Sequence, residues 1–232
     1  LTDQPRDASA SREMNMAEDR NGFWLLAAGA LLFAAAFLIA YQWLKLGETE
    51  ALDPPVLLGL CTIVFGLPYA AREVLARRTN WLLVGLLILV IPLFHFAAAY
   101  VFTYVSTQVQ EAAAQAAEAA AMAADPADMM QPAAEGATTS KMLIGLAAGL
   151  AGALPLLLAG LLSRLRAPGT RPWLVLAGLL ALSWWGGMGV RLTNIEDPYD
   201  LVVTVFLPWQ VLLAFFLSHL LRASPPKAAA TP

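Results

Sequence analysis

The chain reads as an all-α integral membrane protein with six transmembrane helices and both termini on the cytoplasmic side. Three observations carry that reading. Six long apolar stretches alternate with five polar breaks. Of the 232 residues, 59% are hydrophobic and only 13% charged, whereas a soluble domain carries about a quarter charged residues. Basic residues fall in the two tails and in every second break, and an excess of Lys and Arg in short loops marks the cytoplasmic face.

Residues 1–21 form a polar tail of mixed charge. They show no basic segment followed by a short apolar core and a small-residue cleavage site, so the next apolar stretch reads as a retained span, not a signal peptide. Leu1 stands where an initiator methionine would, and Met14 and Met16 read as alternative starts. The spans are expected at 22–44, 55–75, 81–106, 142–163, 172–190 and 200–221, with a second cytoplasmic tail over 222–232. About 20 helical residues cross the hydrocarbon core, so this membrane domain, 22–221, uses up the length and leaves no room for a separate soluble domain. Helices are expected because lipid offers backbone groups no partners, and the runs lack the alternation of barrel strands.

Eleven of the fourteen basic residues fall on one side, among them Arg20, Arg72, Arg77, Arg78, Arg164, Arg166 and Arg171. Only Lys45, Lys141 and Arg191 fall on the other. Eleven of the seventeen acids take the opposite side. Trp24, Trp81 and Trp173 sit at cytoplasmic entries, and Trp43, Tyr104 and Tyr199 at external ends, the headgroup level that amphipathic rings favour. Span 2 holds Pro68, Tyr69, Arg72 and Glu73 in its second half. Either Arg72 reaches back to the interface or the helix bends at Pro68 and ends early.

The longest connection, 107–140, is external. Its first half, TQVQEAAAQAAEAAAMAA, is alanine-rich and has no breaker, so span 3 is expected to continue unbroken to about Ala124 and to stop at Asp125-Pro126. Gln108, Glu111, Gln115, Glu118 and Met122 share one face. The remainder, ADMMQPAAEGATTS, reads as loop. Helix 107–124 is either an extension partly frayed in water or a docking rib for another subunit, with a substrate lid as a third reading. VLLGLCTIVFGLP (56–68) and MLIGLAAGLAGALP (142–155) resemble one another, each followed by a basic break and a similar span start. Spans 2–3 and 4–5 therefore read as candidate parallel copies, with Pro68 opposite Pro155.

Candidate chemistry is sparse. His95 lies near mid-membrane in span 3, just after Pro92, where a titratable group is costly. It is the candidate cofactor residue, against the plainer reading of an interhelical hydrogen bond. His219 lies near the end of span 6, about 15–20 Å from His95 in depth by helical rise, so the two cannot share one haem iron. Pro208, Trp209 and Gln210 at the centre of span 6 suggest a bend carrying a buried amide, either a helix-packing device or part of a substrate site. Gly145, Gly149 and Gly152 in span 4, with Gly186, Gly187 and Gly189 in span 5, mark candidate close helix contacts. Gly29, Ala36 and Ala40 give span 1 a small-residue face.

Asn194, Glu196, Asp197 and Asp200 lack the spacing of a calcium loop. The lone cysteine, Cys61, forms no internal disulfide or cysteine-built metal site, and no catalytic or metal residues are assigned. No Walker motif, HExxH, glycine-rich nucleotide turn or basic nucleic-acid face is present, and no span carries an acid at its centre, as coupled carriers do.

The leading functional expectation is a non-catalytic accessory or scaffold subunit of a larger bacterial inner-membrane complex. Its partners would be the lipid bilayer and other membrane subunits, engaged through helix 107–124. The alternatives are a small-solute or lipid transporter or channel with a site between spans 3 and 6, and a subunit binding haem or a chlorin-type pigment through His95. No intrinsic cofactor is the default.

Overall fold

The computed structural model describes residues 4–46, 54–75, 81–123, 130–166, 172–193 and 198–221. Regular structure among them is helical throughout: α1 (Gln4–Leu46), α2 (Pro54–Leu75), α3 (Trp81–Gly85), α4 (Ile91–Ala123), α5 (Met130–Ala153), α6 (Pro155–Arg166), α7 (Pro172–Leu192), α8 (Pro198–Asp200) and α9 (Leu207–Leu220). Two π-helical turns, Leu86–Val90 and Leu201–Phe206, join α3 to α4 and α8 to α9.

Six stretches are long and apolar enough to cross a bilayer: Asn21–Trp43, Val56–Leu75, Trp81–Phe102, Ser140–Arg164, Pro172–Leu192 and Leu201–Leu220. They match the expected spans to within a few residues at each end. The chain is an all-α, multi-span membrane protein.

Several helices differ in detail from expectation, each for a local reason. The polar N-terminal tail is helical from Gln4 and continuous with span 1. Pro5 occupies the first turn, where its missing N–H costs nothing, and no later proline interrupts. α2 runs through Pro68 to Leu75, so span 2 does not end early. Span 3 is not an unbroken α-helix, because its ladder widens into a π turn two residues before Pro92. The proline ring would strike the carbonyl four residues back, and the wider turn moves that carbonyl aside. Span 6 repeats the device ahead of Pro208. Span 4 breaks at Leu154, where two three-residue bonds, Leu154 N–H to Ala151 O at 3.3 Å and Leu157 N–H to Leu154 O at 2.9 Å, tighten the chain before Pro155 opens α6. Pro68 and Pro155 therefore sit in unlike settings.

The connection after span 3 also differs from expectation. α4 does continue to Ala123, but 130–140 is helix, not loop, because α5 begins at Met130. Once span 4 is helical, extending it toward the N-terminus needs no new nucleus, and Pro132 falls in its first turn, where proline is tolerated. The Asp125-Pro126 stop, Arg77, Arg78, Arg171, Asn194, Glu196, Asp197 and the tail from Arg222 lie outside the described residues.

Consecutive spans pack on one another, and the last packs on the first, closing the bundle. Neighbours are antiparallel. Phe23, early in span 1, meets Phe215, late in span 6, with ring centroids 6.4 Å apart. At the other end Tyr41 meets Tyr199 at 5.8 Å, and the Tyr199 hydroxyl donates to Gln42 Oε1 at 2.6 Å. Four more pairs run the same way: Gly22 and Gly29 lie against Tyr69 and Phe65, Gly59 and Gly66 against Phe96 and Leu87, Gly145 and Gly160 against Gly186 and Val175, and Gly178 and Gly189 against Phe216 and Val205. One end of the bundle thus gathers Arg72 and Arg164.

One buried cluster draws on all six spans, including Leu26, Phe65, Leu87, Leu156, Leu182 and Leu213, and a second joins Phe33 and Phe37 to Leu58 and Val202. The outer surface is apolar as well, with Leu31, Ile39, Leu60, Leu93, Leu150 and Leu180 all exposed. In water such a belt would be a large unpaired patch; in a bilayer it is the solvent-facing side. Trp24, Trp43, Trp81 and Trp173 stand exposed at span ends, as anchors do.

Candidate functional site

The buried imidazole and indole of the membrane interior meet where spans 3, 4, 5 and 6 come together. His95 is 2% exposed. Its Nδ1 lies 2.9 Å from the carbonyl oxygen of Ile91, one turn back. A carbonyl only accepts, so Nδ1 carries the hydrogen and Nε2 presents a lone pair. That Nε2 has no hydrogen-bond partner. The imidazole stands edge-on to the Trp209 indole, with centroids 4.8 Å apart and planes at 85°, and Phe65 lies at 6.4 Å on another side.

Trp209 is the pivot of the junction. It is buried, and its indole N–H donates to the Leu182 carbonyl of span 5 at 3.2 Å. Its six-membered ring covers Gly152, where a Cβ would come within 3.0 Å of two ring carbons. Gln210, the next residue, has no exposed surface, and neither its Oε1 nor its Nε2 finds a partner. Buried polar groups are nearly always paired, so His95 Nε2 and the Gln210 amide are exceptions that call for an explanation. Both follow a proline preceded by a π turn, a feature enriched at functional sites. Pro92 is buried and Pro208 half-buried.

The glycine seam between spans 4 and 5 forms the other wall. A Cβ on Gly145 would overlap the Gly186 carbonyl oxygen, and one on Gly186 would overlap that of Gly145. A Cβ on Gly149 would lie 2.7 Å from the Leu182 oxygen, and one on Gly187 would lie 2.7 Å from Leu146 Cγ. The Ser183 hydroxyl donates across the seam to the Leu146 carbonyl at 2.9 Å. Trp185 Nε1–H donates to the Val205 carbonyl of span 6 at 3.2 Å, while a Cβ on Gly189 would come 3.2 Å from the Val205 methyls. The seam is therefore backbone on backbone at Gly145 and Gly186, with one side-chain donor, Ser183, bonded across it.

Between the two walls lies a cavity of about 40 Å³, bordered by His95, Gly145, Gly149, Gly186, Val205 and Trp209. Trp209 has already committed its donor, and the rest of this border apart from His95 is apolar in its side chains. Such cavities stay dry, since a water needs two to four polar partners.

The structure thus gathers His95, Trp209 and the glycines of both spans at one junction. Gln210 is buried beside it but does not line the cavity. Among the described residues no three His, Cys, Asp or Glu side chains group as metal ligands, and Asp200 Oδ1 accepts from Thr204 at 2.8 Å. His219 Nδ1 turns to its own helix, 2.8 Å from the Phe215 carbonyl.

Two contributors escape a reading of the sequence. Ser183 bonds across to span 4, and Gly66 admits the Leu87 backbone of span 3, where a Cβ would sit 2.6 Å from its oxygen. A lone serine in an apolar helix is the one signal that points to either of them. Comparison with protein-family models, with characterised proteins and with solved structures finds no match.

Proposed function

We propose that this chain is a non-catalytic accessory or scaffold subunit of a larger assembly in a bacterial inner membrane, with the end that bears Arg72 and Arg164 facing the cytoplasm. The observation that carries the reading is the helical projection beyond spans 3 and 4. α4 continues 21 residues past Phe102, on the order of 30 Å at helical rise, and α5 begins ten residues before Ser140. Gln108, Glu111 and Gln115 are exposed along α4, a polar stripe at three- and four-residue steps that faces away from the bundle. Small alanine side chains on such a helix bury little apolar area by themselves, so a docked subunit supplies the area that ordering the helix requires. Extraction in a gentle detergent, followed by size and composition analysis, tests this. A particle containing further polypeptides supports it. A monodisperse particle of this chain alone, under conditions that preserve other membrane complexes, overturns it.

One observation favours a second reading, a small-solute or lipid transporter. His95 Nε2 and the Gln210 amide are buried without partners on the two spans that carry π turns. A passing solute with hydrogen-bonding groups would satisfy them once the helices part. Flux in reconstituted vesicles that falls in Gln210→Leu, with the fold retained, favours this reading; unchanged flux removes the amide from it. The pigment-binding reading rests on the same Nε2 lone pair, and a macrocycle would require far more space beside it than about 40 Å³.

A further inference from the structure

A second concavity lies between the same two spans as the glycine seam, farther along them toward the arginine-bearing end of the bundle. It is a groove of about 390 Å³ between α6 and α7, floored by Leu220 of α9. Its walls are Leu157, Leu161, Val175, Leu176 and Leu179, and Arg164 stands at its mouth. Leu157, Leu161 and Leu176 are each about half exposed, so the groove opens outward to the lipid. Gly160 lets the two helices touch at one level, where a Cβ would come 2.6 Å from Val175 Cγ2. They part around that point.

The groove has a polarity. Leu157 and Arg164 are seven residues apart on α6, and Leu179 and Pro172 are seven apart on α7, so it descends about 10 Å from the guanidinium into the span. The exposed Trp173 beside Pro172 marks the mouth as headgroup level. None of α6, α7 or α9 carries an acidic residue. The Arg164 guanidinium is exposed, and no carboxylate on the helices that form the groove competes for it.

A helix does not fit this space. At about 10 Å diameter and 5.4 Å pitch, one turn occupies on the order of 400 Å³, and 10 Å of depth would need nearly two turns. An acyl chain is slim enough to lie in it. We propose that the groove is a binding site for one anionic phospholipid, its phosphate held by the Arg164 guanidinium and an acyl chain lying along Leu157, Leu161 and Leu176. A guanidinium pairs with phosphate through paired N–H donors, and basic pockets between spans suit such headgroups. The inference does not depend on the accessory-subunit reading, since it concerns a different face of the bundle.

The test uses the full chain, purified in a non-ionic detergent and stripped of lipid. Phosphatidylglycerol and phosphatidylcholine with identical acyl chains are added, and bound lipid is counted by native mass spectrometry. The expected result is a preference for phosphatidylglycerol that Arg164→Gln lowers roughly fivefold, the factor that matches about 1 kcal/mol for one basic side chain near a membrane surface. Arg191→Gln removes the same charge at the far end of α7 and leaves the preference intact. Leu161→Trp fills the exposed groove and lowers retention of both lipids without touching the core. Equal retention of the two lipids by the unmodified chain overturns the proposal, as does a preference that survives Arg164→Gln. Glycerol phosphate, which has the headgroup charge but no chains, should not compete; full competition by it would show that the groove plays no part.

Discussion

Replacing Gln210 with leucine should make this membrane protein more stable. The side chain has no exposed surface, and both of its polar atoms lack partners. An unpaired buried donor or acceptor costs about 1–3 kcal/mol, and leucine fills a similar volume with no polar atom, so little packing is lost. Gln210→Leu should therefore raise unfolding free energy by about 1–3 kcal/mol. The gain arises because the amide finds partners in the membrane-embedded unfolded state and none in the folded one. Titration with SDS in mixed micelles, followed by far-ultraviolet circular dichroism, measures the difference. The opposite sign refutes the reasoning. If a water, a solute or another subunit satisfied the amide, deleting it would destabilise by about 0.6 kcal/mol on average and up to about 1.7. Running the titration on the isolated chain and on the native particle separates those cases, because a subunit partner acts only in the second.

Further outcomes follow from the same geometry. Gly145→Ala drives a methyl into the Gly186 carbonyl and should cost about 1–3 kcal/mol by overpacking, whereas Gly85→Ala meets nothing within 4 Å and should gain up to about 1 kcal/mol from helix propensity; equal effects in the same titration would refute the seam. Cysteines placed at Asn21 and Gln108, both exposed, in a Cys61→Ala background should react with impermeant reagents from opposite faces of oriented vesicles; labelling from one face would overturn the topology. The purified native particle should show no visible absorption band that depends on His95, and a band lost in His95→Leu with the fold retained would establish the pigment reading instead.

The membrane fold was legible because it rests on one physical demand. A span must be long, apolar and internally hydrogen-bonded, and those properties are carried by composition over some twenty residues, not by any single contact. The seam was half legible. Gly145 and Gly149 announce a close approach at four-residue spacing, but that the partner surface is itself glycine, at Gly186 and Gly187, depends on a register that no local pattern states. Pro92 and Pro208 announced freed carbonyls. Both helices answered by widening the preceding turn, and the choice between a bend and a π turn belongs to the neighbours. Residues 130–140 were misread because their Pro132, Gly136 and threonines resemble a loop, whereas a helix already formed in lipid extends into them at small cost. His95 and Gln210 stood out as polar residues at depth; that His95 Nε2 and the Gln210 amide lack partners could only come from three dimensions.

The backbone contact between spans 4 and 5 has a consequence for motion. With no side chains between Gly145 and Gly186, the two helices have nothing flexible to slide on, and the Ser183 bond to Leu146 opposes slippage along the axis. Any rearrangement that preserves this contact must carry the two spans as one rigid plank. Away from that contact, bending falls to the widened turns of spans 3 and 6 at Leu86–Val90 and Leu201–Phe206 and to the break at Leu154, past the seam on span 4. Four of the six spans therefore divide mechanically into a stiff pair and a compliant pair, and the imidazole edge of His95 against Trp209 is where the compliant pair meets itself.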